Sequence, residues 1–308
     1  MNLMKPKKLK KGDTVGIIAP AGTPQREKLE KGVEFLREVG LKTKLGRHIY
    51  RKNGYLAGSD EERVEDLHSM FADSEVKAIF CARGGYGTAR IAERIDYELI
   101  KKNPKIFWGY SDITFLHLAI QKRTGLVTFH GPMIASDYGS DEIDSLTKNS
   151  LKQLFEPNPL QYSTEQSPLE TVVDGVAFGP LIGGNLTLIT STLGTSFEID
   201  TNGKILLIEE INEEPRAIDR MFNQLSMAGK LEGAAGILLG DFHHCISESP
   251  ASFELEEVLE HYIKRVNKPT LAGLKIGHCQ PNLAVPLGVN AILDSRQQQL
   301  IVENGTLS

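Results

Sequence analysis

The chain has 308 residues, of which 40% are hydrophobic and 24% charged, a balance typical of a globular protein with one large domain or two medium ones. Its formal net charge of -5 gives no electrostatic case for binding nucleic acid or an anionic membrane, and no apolar run reaches the roughly 18 residues of a membrane span. Three cysteines without CxxC spacing favour free thiols in a reducing cytoplasm over a disulfide framework.

The first half of the chain alternates between strand and helix patterns. The basic residues 5–11 precede no apolar stretch of a signal peptide, and we interpret them as a solvated tail before the first strand. Strands are predicted at 14–19, 41–45, 76–81 and 105–109, and helices at 24–39, from Ser59 onward, at 91–100 and at 112–122. This alternation predicts a parallel sheet covered by helices on both faces.

The pattern changes after about residue 136. A helix is predicted at 141–155, and the prolines between 157 and 168 indicate a connector. Short apolar runs then predict strands at 171–176, 204–208, 236–239, 270–276, 291–294 and 299–302, with helices at 185–193, 215–228 and 252–265. We therefore predict an N-terminal α/β domain over 1–140, a connector over 141–168 and a strand-rich α+β domain over 169–308.

Ser111 lies where a predicted strand becomes a helix, in the stretch Gly109-Tyr-Ser-Asp. Such a turn resembles part of a nucleophile elbow, and the helix N-terminus would stabilise a developing oxyanion. The second glycine of the elbow motif is absent, because Ile113 occupies that position. Serine is also a favoured helix N-cap, so the local sequence leaves both interpretations open.

A serine nucleophile needs a base and an orienting acid. Among the eight histidines, His278 follows an apolar run and would be displayed by a loop, while His130 precedes a sharp turn at a sheet edge. Glu209 and Glu210 end a strand that reads as buried, where a carboxylate is costly unless it is paired. A structural loop histidine and an exposed strand end are the alternative interpretations.

The glycine-rich turn Arg83-Gly-Gly-Tyr-Gly87 allows two further interpretations. It is not a dinucleotide fingerprint, because the third glycine would fall on Arg90. It is either a site of backbone N–H donors that a ligand approaches closely or an ordinary tight turn. A zinc site at Asp241-Phe-His-His-Cys245 is disfavoured, because adjacent histidines on an extended chain point in opposite directions.

Taken together, these segments resemble the LD-carboxypeptidases, the muramoyl-tetrapeptide carboxypeptidases that include the microcin C immunity peptidases. The matching segments occur in order through almost the whole chain. They are Gly16-Ile-Ile-Ala-Pro-Ala-Gly22, Tyr55-Leu-Ala-Gly-Ser-Asp60, Arg83-Gly-Gly-Tyr-Gly87, Gly109-Tyr-Ser-Asp-Ile-Thr114, His130-Gly-Pro-Met133, Gly183-Gly-Asn-Leu186, Leu207-Ile-Glu-Glu210 and Gly277-His278 with Asn282.

The resemblance implies a serine peptidase with a Ser-Glu-His triad at Ser111, Glu209 and His278, with Glu210 left open as the acid. It implies oxyanion donors at the backbone amides of Gly85 and Asp112. Four residues are further candidates for substrate binding: Arg83, Gly84, Asn185 and Arg216. Cys279 and Pro281 lie in a loop where the family varies, which leaves the substrate pocket less defined than the triad.

The implied activity is release of a C-terminal D-amino acid, D-alanine, from cytoplasmic muropeptides. The resemblance implies no metal or organic cofactor, and a homodimer whose N-terminal domain carries the nucleophile while its C-terminal domain carries the acid and the base. An immunity peptidase acting on peptide-nucleotide antibiotics is the alternative within the family. A two-domain protein that only binds a small molecule is the alternative outside enzymes.

Overall fold

The computed structural model describes residues 3–308 and divides the chain into two compact units. Of the described residues, the first unit contains those up to 158 together with 283–288 and 304–308, and the second contains 159–282 and 289–303. None of the helices within residues 3–308 combines the length and apolar composition needed to span a membrane. The domain limits predicted from the sequence stay a prediction.

The short strands over 128–130, 160–162 and 285–287 were not predicted, but most of the helices and strands follow one another in the order that the hydrophobic patterns predict. Up to residue 154 they are β1 (Thr14–Ile18), α1 (Arg26–Glu38), β2 (Lys42–Leu45), α2 (Asp60–Ala72), β3 (Val76–Cys81), α3 (Thr88–Ile91), α4 (Tyr97–Lys102), β4 (Ile106–Gly109), α5 (Thr114–Thr124), β5 (Thr128–His130) and α6 (Ser145–Asn149). Beyond it they are β6 (Leu160–Tyr162), β7 (Glu170–Val173), β8 (Val176–Asn185), α7 (Leu186–Ser191), β9 (Ile205–Ile211), α8 (Pro215–Met227), α9 (Lys230–Gly233), β10 (Gly236–His243), α10 (Leu255–Val266), β11 (Thr270–Ala272), β12 (Val285–Leu287), β13 (Asn290–Asp294) and β14 (Gln299–Val302).

The first unit contains a six-stranded sheet in the order β12-β5-β4-β3-β1-β2. Strands β1 to β5 pair in parallel, and only β12 is antiparallel, against β5. The order 2-1-3-4-5 is that of a doubly wound sheet, in which ligands bind beyond the carboxyl ends of the strands. The turns after β3 and β4, which carry the predicted site residues of this unit, lie at that edge.

The second unit contains an eight-stranded sheet in the order β6-β14-β13-β8-β9-β10-β11-β7. Its central strands β8 to β11 are parallel, whereas the strands on either side pair antiparallel. Strand β9 lies in the middle and is buried over most of its length, as its apolar sequence predicts. The predicted fold class, a parallel α/β sheet followed by a strand-rich part, is confirmed.

Three local predictions are wrong. The N-terminal basic segment is not a solvated tail: Leu9 is buried and donates its N–H to the carbonyl oxygen of Leu154, and Lys7 forms a β-bridge with Leu307. The single helix predicted over 141–155 is a short α-helix, α6, followed by a 3-10 helix over Ser150–Leu154. The single helix predicted over 91–100 is divided into α3, a 3-10 helix over Ala92–Arg94 and α4. Backbone pairing with distant segments decides the first case and cannot be read from local sequence.

Lys105, directly before β4, supplies a pH-dependent prediction. Its Nζ is buried and donates to the carbonyl oxygens of Met70, at 2.7 Å, and Asp73. Burial lowers its pKa from 10.5 to about 8, so the folded state binds fewer protons than the unfolded state between those values. The free energy of unfolding should therefore increase as pH rises through this window.

Urea unfolding of wild type and Lys105→Met at about pH 8 and about pH 10 measures the effect. The increase in the free energy of unfolding between these two pH values should be smaller for Lys105→Met than for wild type. Equal increases would contradict the lowered pKa of Lys105.

Candidate active site

Ser111 lies one residue beyond Tyr110, at the start of a short 3-10 helix, Ser111–Ile113, that leads from β4 into α5. Its backbone φ is 64°, in the left-handed region that costs an L-residue roughly 1–2 kcal/mol. A helix N-cap has extended backbone angles, so Ser111 does not have the geometry of an ordinary cap. A strained turn between strand and helix is the geometry of a nucleophile elbow.

The end of β4 is held by close packing. A Cβ on Gly109 would lie 3.0 Å from Cβ of Cys81 and 3.1 Å from Cγ1 of Ile113, so a larger residue does not fit. The Gly109 carbonyl oxygen accepts a hydrogen bond from Nε2 of His117 at 2.8 Å. Burial lowers the pKa of His117 to about 4, so it is neutral at pH 7 and serves packing.

The turn over residues 83–87 lies directly against Ser111. A Cβ on Gly84 would lie 2.8 Å from both Cβ and Oγ of Ser111, well inside the ordinary carbon contact distance of about 3.5 Å. Glycine at this position therefore lets the turn and the serine approach each other. The predicted site residues Gly84 and Ser111 are brought together by the fold of the first unit.

The backbone amides of Gly85 and Asp112 are the predicted oxyanion donors. The carbonyl oxygen of Gly84 accepts a hydrogen bond from the Gly22 N–H at 3.2 Å. In a trans peptide the following N–H points the opposite way, so the Gly85 N–H is directed away from Gly22. Among the backbone hydrogen bonds of turns, loops and caps within residues 3–308, none is donated by the Gly85 N–H or by the Asp112 N–H. Neither amide is therefore used in a backbone hydrogen bond of this kind.

The side chain of Asp112 ties the start of the helix to the glycine turn. This buried carboxylate accepts from the Thr88 N–H at 2.9 Å, and the Thr88 hydroxyl donates back to the Asp112 carbonyl oxygen at 2.5 Å. Burial raises the pKa of Asp112, and the hydrogen bonds from Thr88 and Gly87 oppose that rise. The two segments that carry the candidate oxyanion donors are therefore fixed to each other.

Arg63 holds the same turn and was missed by the sequence analysis. Its buried guanidinium donates through Nη1 to the carbonyl oxygens of Gly87 and Pro20, at 2.8 and 2.6 Å, and pairs with Asp60 at 2.5 Å. Burial lowers the pKa of Arg63, and Asp60 opposes that effect. Arg63 was missed because an arginine in an amphipathic helix is ordinarily exposed. The one sequence signal for its role was Asp60, three residues earlier, at the spacing that allows an ion pair on one helix face.

Glu209 and His278 form a hydrogen-bonded pair in the second unit. Nδ1 of His278 lies 2.9 Å from Oε2 of Glu209. The Glu209 side chain is fully buried, whereas that of His278 is 14% exposed. Oε1 of Glu209 has no hydrogen-bond partner in the described part of the chain. A buried carboxylate at this distance orients the imidazole.

The loop that carries His278 is shaped around the carboxylate of Glu209. Gly277 has a φ of 110°, and a Cβ there would lie 2.5 Å from Oε2 of Glu209. Its N–H donates to Oδ1 of the buried Asn282 at 3.1 Å, which closes the loop on itself. The glycine and the asparagine of this sequence motif thus have structural reasons, which the sequence analysis did not identify.

Glu210 has a different environment from Glu209. Its carboxylate accepts from Nδ2 of Asn185 at 2.7 Å and from the N–H and hydroxyl of Thr187 at 2.8 and 2.7 Å. Burial raises its pKa above the ordinary value. The structure therefore pairs Glu209 with His278, and it engages Asn185 with Glu210 at the start of α7.

The two predicted arginines make hydrogen bonds close to their own positions in the chain. Arg83 is half-buried, and its guanidinium donates to the carbonyl oxygens of Gly84, at 3.2 Å, and Thr23, at 3.5 Å. Arg216 is exposed on α8 and pairs with Glu214 at 2.8 Å. Their roles in substrate binding stay predictions.

The Asp241–Cys245 segment does not assemble a metal site from its own side chains. The ring centroids of His243 and His244 lie 4.1 Å apart, so the expectation that the two side chains point in opposite directions is wrong; His244 has a φ of 51°, and the chain is not extended there. Oδ1 of Asp241 lies 3.3 Å from Nζ of Lys275. In the part of the chain that the structure describes, no three His, Cys, Asp or Glu side chains are grouped to hold a metal ion.

Comparison with known proteins places both halves of the chain in one family. Residues 15–131 match the LD-carboxypeptidase N-terminal domain, and residues 178–293 match the LD-carboxypeptidase C-terminal domain. The chain is 57% identical to a probable murein peptide carboxypeptidase of Bacillus subtilis, over 98% of this chain and 95% of that protein.

Two further relatives have solved structures. The Escherichia coli microcin C7 self-immunity protein MccF is 28% identical over 96% of this chain and 95% of its own length. A structure of MccF in complex with glutamyl sulfamoyl guanosine matches with a TM-score of 0.90 at 25% identity, over 99% of both chains. A muramoyltetrapeptide carboxypeptidase from Oxalobacter formigenes matches with a TM-score of 0.85 at 29% identity, over 96% of this chain and all of that one. Sequence and structure agree that the chain belongs to the LD-carboxypeptidase family and is a serine peptidase of that family.

Proposed function

We propose that the protein hydrolyses the peptide bond between an L-configured residue and a C-terminal D-alanine of a muropeptide, with Ser111, Glu209 and His278 as its catalytic triad. The observation that carries the proposal is the 2.9 Å hydrogen bond between Nδ1 of His278 and the fully buried Glu209. The names of the relatives from Bacillus subtilis and Oxalobacter formigenes support the reaction and the substrate class. The proposed reaction uses no metal or organic cofactor.

The first half of the reaction forms an acyl-enzyme. Nε2 of His278, the ring nitrogen that does not face Glu209, takes the proton of the Ser111 hydroxyl as Oγ attacks the carbonyl carbon. Glu209 holds the ring in the required tautomer and stabilises the imidazolium. The N–H groups of Gly85 and Asp112 bind the oxyanion, and in other serine hydrolases one such donor is worth about 3–4 kcal/mol.

The second half releases both products. The tetrahedral intermediate collapses, the C–N bond breaks, and His278 returns its proton to the leaving amine, so that D-alanine departs. Water then attacks the ester carbonyl on Ser111 while His278 takes a proton from the water. As this second intermediate collapses, the C–O bond to Ser111 breaks and His278 returns its proton to Oγ. The shortened peptide leaves as a carboxylic acid, which loses its proton to solvent.

The proposal is tested by D-alanine release from the tetrapeptide L-Ala–D-Glu–meso-diaminopimelate–D-Ala. The wild-type protein should release one equivalent of D-alanine per peptide and leave the tripeptide. The isomer that ends in L-alanine serves as the matched control and should remain intact. Failure of the wild type to cleave the first peptide would remove this substrate class.

Gly84→Ala should impair the reaction while the chain still folds. The new methyl group would lie 2.8 Å from Oγ and Cβ of Ser111, so it either displaces the hydroxyl or opens the turn that carries Gly85. A displacement of about 1 Å at a reacting group costs on the order of 10²-fold in rate. We expect kcat to fall by at least that factor.

The matched control is Gly12→Ala. Gly12 has a positive φ of 89°, which Gly84 does not have, and no atom lies within 4 Å of a Cβ added to it. Gly12→Ala therefore adds backbone strain but no new contact, and is the more demanding control. Gly12→Ala should keep wild-type kcat. Unchanged kcat in Gly84→Ala would contradict the placement of the turn against Ser111.

A second candidate substrate is a peptide-nucleotide antibiotic of the microcin C type. The likeness to MccF, which was solved with glutamyl sulfamoyl guanosine, supports this alternative. The test is competition: with muropeptide and an aminoacyl sulfamoyl nucleoside offered together, we expect the muropeptide to be cleaved with the higher kcat/KM.

We further propose that the protein acts in the cytoplasm as a homodimer, as its resemblance to the family implies. Sedimentation equilibrium at micromolar concentration should return a mass of twice the 34.0 kDa chain. A single-chain mass across that range would remove the dimer from the proposal.

A further inference from the structure

Two exposed tyrosines lie at the glycine turn that packs against Ser111. Tyr86 belongs to the turn and Tyr55 packs against it; Tyr55 is 71% exposed and Tyr86 is 54% exposed. Their ring centroids lie 5.4 Å apart at an interplanar angle of 77°, an edge-to-face pair. Burial in the core does not account for two large rings that remain this open to solvent, and paired aromatic rings on a surface are a common means of binding a ligand.

The glycine turn fixes the position of Tyr86. The residues on either side, Gly85 and Gly87, have φ values of 128° and 120°, which set the direction of the chain through the tyrosine. Gly84, two positions earlier, lies against Ser111, so the Cα atoms of Gly84 and Tyr86 are at most about 7.6 Å apart. The Tyr86 side chain is therefore within reach of a substrate held at Ser111.

The turn is rigid on both sides of Tyr86. The Gly22 N–H donates to the Gly84 carbonyl oxygen at 3.2 Å, and Arg63 donates to the Gly87 carbonyl oxygen at 2.8 Å. The Tyr55 ring packs its neighbour from the side. An aromatic surface that is fixed before binding loses little conformational entropy when it packs against a ligand.

The proposed reaction indicates which part of the substrate faces Tyr86. The Gly85 N–H binds the carbonyl oxygen of the residue on the acyl side of the cleaved bond. Tyr86 is the next residue and carries the first large side chain after Gly84 and Gly85, so its ring would be the part of this turn available to the side chain of that same substrate residue. In the proposed muropeptide this residue is diaminopimelate, whose side chain has three consecutive methylene groups suited to an aromatic face.

We propose that Tyr86, supported by Tyr55, is a specificity-determining residue that packs on the aliphatic side chain of the acyl-side residue of the substrate. This inference rests on the proposed function and extends it. It predicts a preference for a long aliphatic side chain at this one position of the peptide.

The test combines enzyme variants with a substrate series. Wild type and Tyr86→Ala are compared on tetrapeptides L-Ala–D-Glu–X–D-Ala in which X is meso-diaminopimelate, L-lysine or L-alanine. Tyr86→Ala should raise KM about tenfold for the first two peptides and less than about twofold for the alanine peptide, with kcat within about threefold. Tyr86→Phe, which keeps the ring, should match wild type, and Tyr55→Ala should raise KM in the same direction by a smaller factor.

Phe178→Ala is the matched control for loss of an exposed aromatic ring. Phe178 is 64% exposed on β8, seven residues and therefore about 23 Å before Asn185 at the end of that strand. This variant should leave KM unchanged for all three peptides. Thermal unfolding of every variant monitors the fold.

Cleavage of the peptides by wild type shows whether a negative result bears on the role of Tyr86 or on the proposed function itself. If wild type cleaves the peptides and Tyr86→Ala keeps wild-type KM, or raises KM equally for all three, the role of Tyr86 is overturned while the proposed function stands. If wild type cleaves none of them, the proposed function fails and the inference falls with it. A rise in KM confined to the peptides with long side chains supports both.

Discussion

Replacing Ser111 by alanine is expected to reduce D-alanine release by a factor on the order of 10⁴ to 10⁶, the range measured when the nucleophile of a serine peptidase is removed. The reason is that no acyl-enzyme can form without Oγ. KM should change little, because the amides of Gly85 and Asp112 remain in place. The measurement is steady-state release of D-alanine by wild type and variant, with circular dichroism to monitor the fold.

Ser111→Gly separates catalysis from capping. Ser111 has a φ of 64°, which glycine adopts without strain, so the glycine variant should be more stable than Ser111→Ala by about 1 kcal/mol. Both variants should be equally inactive. If Ser111 were only a helix cap, the alanine variant would remain active and lose about 1 kcal/mol of stability, whereas glycine would cost a few tenths. Activity distinguishes the two interpretations, because the order of stability of the two variants is the same in both; thermal unfolding shows that each variant still folds.

Glu209→Gln is expected to lower kcat by a factor on the order of 10⁴, as in other triads whose acid is replaced by its amide. The amide can donate to Nδ1 of His278, which would place the ring proton on Nε2. That nitrogen could then no longer accept the proton of Ser111. The fold should persist, because glutamine has nearly the size of the glutamate it replaces. The pre-steady-state rate of acylation measures the effect.

Glu210→Gln is the matched control on the neighbouring residue. The Glu210 carboxylate accepts hydrogen bonds from Asn185 and Thr187, and an amide NH₂ cannot accept them. The variant should lose about 1–3 kcal/mol of stability and keep kcat within severalfold of wild type. An inactive, stable Glu210→Gln beside an active Glu209→Gln would reverse the assignment of the acid.

The candidate site residues could be predicted from the sequence, whereas the contacts that define their roles could not. Ser111, Glu209 and His278 each follow or end an apolar run, and at the carboxyl end of a strand a polar residue is displayed to ligands. Successive side chains on a strand point to opposite faces, so the choice between Glu209 and Glu210 depends on which face His278 covers. That contact joins residues 69 positions apart and needs the folded chain.

In the fold, too, elements marked by local sequence patterns were predicted, and elements that depend on contacts distant in sequence were missed. Strands β1, β3, β4 and β9 were predicted because their apolar runs are bounded by turn residues. Strand β12 was missed, because it has three residues and contains Pro286, which argues against a strand. It nevertheless pairs with β5 in the sheet of the first unit. Arg63 was missed for a similar reason, since its hydrogen bonds to Pro20 and Gly87 join segments far apart in sequence.

We propose that His278 and Glu209 together make Ser111 a nucleophile. The most direct measurement is mass spectrometry of the intact and digested protein after reaction with a fluorophosphonate. We predict one adduct per chain, located on Ser111, absent from Ser111→Ala and formed far more slowly in His278→Ala. An adduct on another serine, or labelling of Ser111 at the same rate in His278→Ala, would contradict the account.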